Sequence, residues 1–249
     1  MDKKKEKNMK ATLLIKNIKN LYTCNENFDV FSEAFIAIHH ERIIDLGTHD
    51  FKKWMDSSTR VLDAQGECVI PAFIEPCYRG VPQEKSGDQI RNENEVAYAM
   101  RSNGILTITT PYTQLQRKDI FQDIIQRRIK PEYPIVSSIH EYMKNPKDQF
   151  LLSCGIGNTE YSMYSMHPLA FYMYNCLHVD LETIIKSVTL WPAKTYKYTD
   201  RGQIAKGMRA DLLVLHTKTI EEYLTTMGVP LIRRMIKNGI PVFPDIIRC

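Results

Sequence analysis

The sequence predicts an α/β fold in which two strand-rich ends close into one composite domain around a middle of alternating helices and strands. Three observations carry this. Residues 11–70 hold short apolar runs separated by turn residues. From about residue 90 the apolar spacing alternates between helical and strand periods, which argues for parallel α/β units. The last fifty or so residues return to strands.

Taken in order, the basic start Met1–Lys7 is interrupted by two acids and reads as a solvated tail rather than a nucleic-acid or membrane arm. Ala11–Lys16 is an apolar strand bounded by Asn17. Ala34–Ile38 and Arg42–Gly47 form a hairpin around His39-His40-Glu41, whose histidines are expected in solvent. Arg60–Asp63 and Glu67–Ile70 are strands joined by Ala64-Gln65-Gly66, where glycine makes a positive φ cheap. Next comes Val69-Ile-Pro-Ala-Phe-Ile-Glu-Pro-Cys-Tyr-Arg-Gly80, an apolar strand that delivers Glu75, Cys77 and Arg79 to its far end.

Residues 94–103 place Val96, Ala97, Ala99 and Met100 on one helical face, with Gly104 as the terminating glycine. Ile105–Thr110 is a β-branched strand. The spacing of Ile120, Phe121, Ile124, Ile125 and Ile129 predicts a helix over 118–129. Pro134–Ile139 and Phe150–Cys154 read as strands, and Ser165–Leu177 as a helix. Asp180 caps a further helix carrying Leu181, Ile184, Ile185 and Val188 at i, i+3, i+4 and i+7. Asp211–Leu215, Leu231–Lys237 and Pro241–Phe243 are the closing strands, with Asn238-Gly239 as a hairpin turn.

The 249 residues are 43% hydrophobic and 25% charged with a net charge of +4, an ordinary globular composition. No apolar run approaches the ~18 residues of a membrane span, and no apolar stretch behind the basic start is long enough for a signal peptide. Six scattered cysteines without a CxxC pair point to free thiols in a reducing compartment. A cytoplasmic protein with no nucleic-acid and no membrane partner is the expectation.

Several segments resemble the amidohydrolase superfamily. Leu13–Asn17, Glu41–Gly47, Val61–Gly66 and Val69–Pro76 are similar to the family's opening, which ends "PGFID-HxH" in active members. Thr189–Lys194 and Asp200–Leu215 are similar to its "T-NPAK…GSI-GK-ADLVV" tail, and Gly228–Gly239 and Phe150–Leu177 are imidazolonepropionase-like. These pieces cover roughly ~60% of the chain. The resemblance implies a β-sandwich made from both termini, residues 1–70 and 193–249, and a metal-containing (β/α)₈ barrel between them over 71–192. A barrel of that kind takes about 250 residues, whereas roughly 115 lie between Cys77 and Pro192. The expectation is therefore an incomplete TIM-like barrel of three or four strands. Its open edges need cover from its own helices or from another chain, in a homo-oligomer or a hetero-oligomer with a full-length relative.

The resemblance also implies ligand positions that this chain does not fill. Cys77 and Arg79 stand where the family carries its two HxH metal ligands, and a guanidinium only donates. Gly155 stands where the family carries the Asp that binds metal and accepts a proton. Glu75, Cys77, Arg79 and Gly155 thus mark a vestigial site. A rebuilt site from Cys77, Cys154 and His140, with Glu75 and His167 nearby, competes with the reading of two buried thiols, and the absence of any close ligand pair favours the thiols. Cys77 beside Arg79 has no assignable base for nucleophilic catalysis. The Met- and aromatic-rich run Tyr161–Tyr174 fits core packing better than a pocket. The function expected is a catalytically inactive amidohydrolase-like protein with a binding or interaction role and no cofactor. Two alternatives stay open: a zinc- or iron-dependent hydrolase of carbon–nitrogen bonds in a cyclic amide, and a decayed product of a shortened gene.

Overall fold

A computed structural model describes residues 9–79, 93–111, 122–155 and 164–243. Eight strands drawn from both ends of the chain join in one sheet. They are β1 (Leu13–Tyr22), β2 (Val30–His39), β3 (Arg42–Gly47), β4 (Arg60–Asp63), β5 (Val69–Pro71), β11 (Leu212–Leu215), β12 (Ile232–Lys237) and β13 (Ile240–Phe243). Their order is β13-β12-β11-β5-β1-β2-β3, with β4 also paired to β1. β5 is the seam, parallel to β1 on one side and antiparallel to β11 on the other.

Alternation along these strands sorts the side chains. Leu13, Ile15, Ile36 and Ile38 share a core with Leu212, Val214 and Ile236. Leu14, Phe35 and Ala37 point the other way, under Phe51, Trp54 and Met55. The first strand runs past its expected end. Asn17 adopts φ 56° at a register shift between Ile15 and Ile18, and its side chain donates to Asp63 Oδ2 at 2.7 Å. Asparagine tolerates this left-handed geometry, so it makes a bulge where a strand end was expected.

The middle of the chain supplies five parallel strands in two groups. β6 (Phe73–Glu75), β7 (Ile105–Thr110) and β8 (Asp123–Gln126) form one sheet, and β9 (Ile135–Val136) and β10 (Leu151–Leu152) form the other. Helix α1 (Glu93–Ser102) falls between β6 and β7 in sequence, and α2 (Ile139–Lys144) between β9 and β10. α3 (His167–Asn175), α4 (Leu181–Val188) and α5 (Leu190–Thr195) follow, and α6 (Ile220–Thr225) lies in the terminal region. Asp180 caps α4 as expected, its Oδ1 accepting from the Thr183 N–H at 2.8 Å.

Two expectations are corrected. The helix expected over 118–129 is a strand in its described part: β8 pairs in parallel with β7, from Thr107 opposite Asp123 to Thr110 opposite Gln126. The β-branched pair Ile124-Ile125 extends against an open strand edge, and that pairing overrides the helical spacing; residues 118–121 lie outside the described residues. The strand expected over 134–139 pairs only at Ile135–Val136, because Ser138 caps α2 by accepting from the Glu141 N–H. Helix α6 and a short 3-10 turn at Lys52–Trp54 were not expected.

The largest core cluster includes Ile70, Leu213 and Met235 of the terminal sheet together with Phe73, Ile105, Ile108 and Leu152 of the parallel strands. Met166, Leu169, Ala170 and Met173 are buried in it, which is the core role expected for the described part of the aromatic-rich run. At the start of β7 and β8 an ion network ties the sheets together. Lys237, 1% exposed, donates to Asp123 Oδ2 at 2.8 Å and to Asp211 Oδ2 at 2.7 Å. Arg201 donates to the same Asp123 oxygen at 2.6 Å, to Thr107 Oγ1 at 2.9 Å and to Asp200 at 2.9 Å. Arg209 also donates to Asp200, at 3.0 Å. Among the described residues no helix is long and apolar enough to cross a membrane.

Candidate functional site

The run 69–79 changes sheets after one residue. β5 ends at Pro71 and β6 begins at Phe73, so a single apolar stretch carries the chain from the terminal sheet into the parallel strands and ends at Glu75. Glu75 is fully buried. Its Oε1 accepts from the Cys77 N–H at 2.9 Å and the Ser153 hydroxyl at 2.6 Å. Its Oε2 accepts from the Cys154 N–H at 2.9 Å and the Cys154 thiol at 2.8 Å. A buried carboxylate without a cation is costly unless its oxygens are satisfied, and two donors on each oxygen do that here. The same bonds clamp the end of β6 to the end of β10, which belongs to the other parallel sheet.

In front of Glu75 lies a small cleft of about 120 Å³ lined by Cys77, Arg79, Ile135, Ser137, Glu141, Ser153 and Gly155. Ser153 Oγ accepts from the Gly155 N–H at 3.1 Å while donating to Glu75. Glu141 Oε2 accepts from the Ser137 N–H at 2.6 Å and from its hydroxyl at 2.8 Å, which fixes the β9–α2 turn. Burial and then the adjacent Glu75 push the Cys154 thiol well above the usual cysteine range. Burial foremost, then Cys77 and Glu75, pushes the Tyr196 phenol up.

Of the residues singled out in the sequence, Cys77, Arg79 and Gly155 line the cleft together, with Glu75 and Cys154 directly behind through the contacts with Ser153 and Cys77. His140 lies exposed on α2 and is not among the lining residues. His167 begins α3 and bonds the Tyr223 carbonyl through Nε2 at 2.8 Å, and burial lowers its pKa below the usual histidine value. Ser137, Ser153 and Glu141 were not foreseen. The Ser138-x-x-Glu141 spacing of a capping box was the available signal for Glu141.

No protein-family model and no curated protein matches this sequence. Solved structures do match. An enamidase described as a new member of the amidohydrolase superfamily aligns with TM-score 0.63 and 12% identity, over 92% of this chain and 95% of that one. A β-aspartyl dipeptidase from Fervidobacterium islandicum AW-1 aligns with TM-score 0.62 and 12% identity, over 92% and 96%. An adenosine deaminase from Xanthomonas campestris, solved with bound zinc, gives TM-score 0.63 and 10% identity, over 94% and 93%. The chain has the amidohydrolase-superfamily fold. In that fold the Glu75 cluster sits at the carboxyl ends of parallel strands, where sites are built in barrels of this type.

A divalent ion set up for hydrolysis needs about three protein ligands and an open position. At this cluster Arg79 can only donate, Gly155 offers no side chain, both Glu75 oxygens carry two donors, and the Cys154 thiol is held in its protonated form. These side chains, as placed, do not fit such an ion. Among the described residues no group of three His, Cys, Asp or Glu is gathered that could hold one.

Proposed function

We propose that this chain is a catalytically inactive, imidazolonepropionase-like member of the amidohydrolase superfamily whose strand-end cleft binds a ligand instead of hydrolysing it. In this reading residues 1–70 and 193–249 make the composite β-sandwich and residues 71–192 an incomplete barrel. The observation that carries the reading is the state of Glu75. The carboxylate nearest the vestigial ligand positions has both oxygens committed to Cys77, Ser153 and Cys154, so neither is disposed to take a proton from water or to bind a metal. Arg79 puts a fixed positive charge on the cleft wall. A cleft of this size and polarity suits a small polar ligand, well below the 300–1,000 Å³ typical of drug-sized sites.

The test is metal content and turnover on one untagged preparation, grown with added zinc and iron. Metal near zero per chain, with no ring opening of imidazolone-type or other cyclic amides, supports the reading. About one metal per chain, with turnover abolished by Cys154→Ala, would replace it with the metal-dependent carbon–nitrogen hydrolase.

A further inference from the structure

We infer that Cys77 is a site of reversible oxidation, where hydrogen peroxide converts the thiol to a sulfenic acid whose oxygen is held by the Tyr196 hydroxyl. This goes beyond the reading proposed above and does not depend on the cleft taking a ligand. Two observations meet here. The first is access. Of the five described cysteines, Cys24, Cys68 and Cys154 are buried, Cys176 is exposed, and Cys77 is half-buried on the wall of the cleft. The Cys77 N–H is committed to Glu75 Oε1, whereas its thiol has no hydrogen-bond partner among the described residues. The second is an unused donor. Tyr196 is 3% exposed, yet among the described residues its hydroxyl has no hydrogen-bond partner, while the nearby Tyr198 hydroxyl is paired with Thr109 Oγ1 at 3.0 Å. A buried tyrosine usually finds a partner for its O–H.

The fold places this hydroxyl behind the cleft. α5 packs against β6, and Tyr196 follows its last residue directly. Tyr196 clusters with Leu151 of β10, and Ile135, which lines the cleft, packs on the same cluster. After burial, the groups that act most on the phenol are Cys77 and then Glu75, and all three keep it protonated, as a donor. The step balances with peroxide as its co-reactant. The Cys77 sulfur attacks one peroxide oxygen, the S–O bond forms as the O–O bond breaks, sulfur gives up two electrons, and the thiol proton ends on the departing oxygen as water. No resident base is needed, because even the small thiolate fraction of an ordinary cysteine near neutral pH is strongly nucleophilic. The phenol O–H donates first to the departing oxygen and then to the sulfenic oxygen. Size selects the oxidant: about 120 Å³ is the share of roughly four waters at ~30 Å³ each, room for hydrogen peroxide and not for a bulky hydroperoxide. The product stays a sulfenic acid. Cys154, on the other side of Glu75, donates its thiol proton to Oε2 at 2.8 Å, and burial and Glu75 hold it out of the thiolate form that would close a disulfide.

The test is mass spectrometry of the full chain after brief treatment with substoichiometric hydrogen peroxide and dimedone, which traps sulfenic acids. Cys176, the exposed thiol, is the internal reference. Cys77 is expected to be labelled at least tenfold faster than Cys176 despite its lesser exposure, and cumene hydroperoxide is expected to erase that preference. Tyr196→Phe keeps the ring and removes only the unpaired hydroxyl. It is expected to slow Cys77 oxidation at least fivefold, while Cys176 oxidation and Cys77 alkylation by iodoacetamide stay within twofold. Circular dichroism and melting temperature check that the variant folds, and the comparison of the two peroxides on the parent protein decides the matter if it does not. Cys77 labelled no faster than Cys176, an equal preference with cumene hydroperoxide, a Cys77–Cys154 disulfide in place of the adduct, or oxidation unmoved in a folded Tyr196→Phe would overturn the inference.

Discussion

Replacing Glu75 by glutamine changes almost no volume and removes one charge, yet it is expected to cost about 3 kcal/mol of stability. Four donors converge on the carboxylate, two on each oxygen. An amide offers one oxygen and one NH₂. If the oxygen faces Cys77 and Ser153, the NH₂ meets the Cys154 N–H; if the amide is turned round, it meets the Cys77 N–H. The hydroxyl and the thiol can rotate away, but a backbone N–H cannot. In either orientation one buried N–H is stranded, at roughly 1–3 kcal/mol, and hydrogen bonds to a charged group worth about 1.5–3 kcal/mol each are lost, partly offset by the smaller desolvation of a neutral amide. For a chain of this length, about 3 kcal/mol lowers the melting temperature by roughly 6–12 °C. Urea unfolding followed by circular dichroism at neutral pH measures it. A glutamine variant within 1 kcal/mol of the parent would refute the account of Glu75 as a clamp between β6 and β10.

Three further outcomes follow from other contacts. Lys237→Met strips Asp123 and Asp211 of a shared, buried cation and is expected to destabilise by about 3–5 kcal/mol in urea unfolding, as removal of one partner of a buried pair does. Burial opposes ionisation of Asp200, but hydrogen bonds and charges from Arg201 and Arg209 prevail and bring its pKa down to about 2. Its folded value is below the unfolded ~3.9, so its stabilisation is present above about pH 4 and lost as the pH falls towards 2; a pH series of urea midpoints should be flatter in Asp200→Asn. Gly239 has φ +75°, and a Cβ there would lie 1.9 Å from the His40 carbonyl oxygen, so Gly239→Ala is expected to lower thermal stability well beyond the ~1–2 kcal/mol of the left-handed backbone alone.

What the sequence made legible was local. The hairpin turns at His39–Glu41 and Asn238-Gly239 and the cap at Asp180 each depend on residues a few positions apart, and each was found where expected. β8 was misread because Ile120, Phe121, Ile124, Ile125 and Ile129 satisfy a helical period, and nothing nearby announces the edge of β7 that recruits Ile124 and Ile125. Asn17 looked like a strand end and is a bulge. The site was half legible. Cys77, Arg79 and Gly155 could be placed at strand ends, but the donors that engage Glu75 from Ser153 and Cys154 come from 78 and 79 residues away. Long-range pairing of this kind leaves no periodic trace. The partnership of Lys237 with Asp123, across 114 residues, was equally invisible.

The position of β5 has a consequence for synthesis. Leu21 flanks Val69 on one side and Val214 on the other, so the seam of the terminal sheet cannot close while residues 212–215 are still in the ribosome. Until then β5 presents an unpaired edge, and Thr107 and Asp123 wait for Arg201 and Lys237. The nascent chain therefore holds an open strand template until β11 emerges, the kind of surface on which growing chains aggregate or engage chaperones. Closure of the sheet therefore waits on β11 and β12, which act as its fastener.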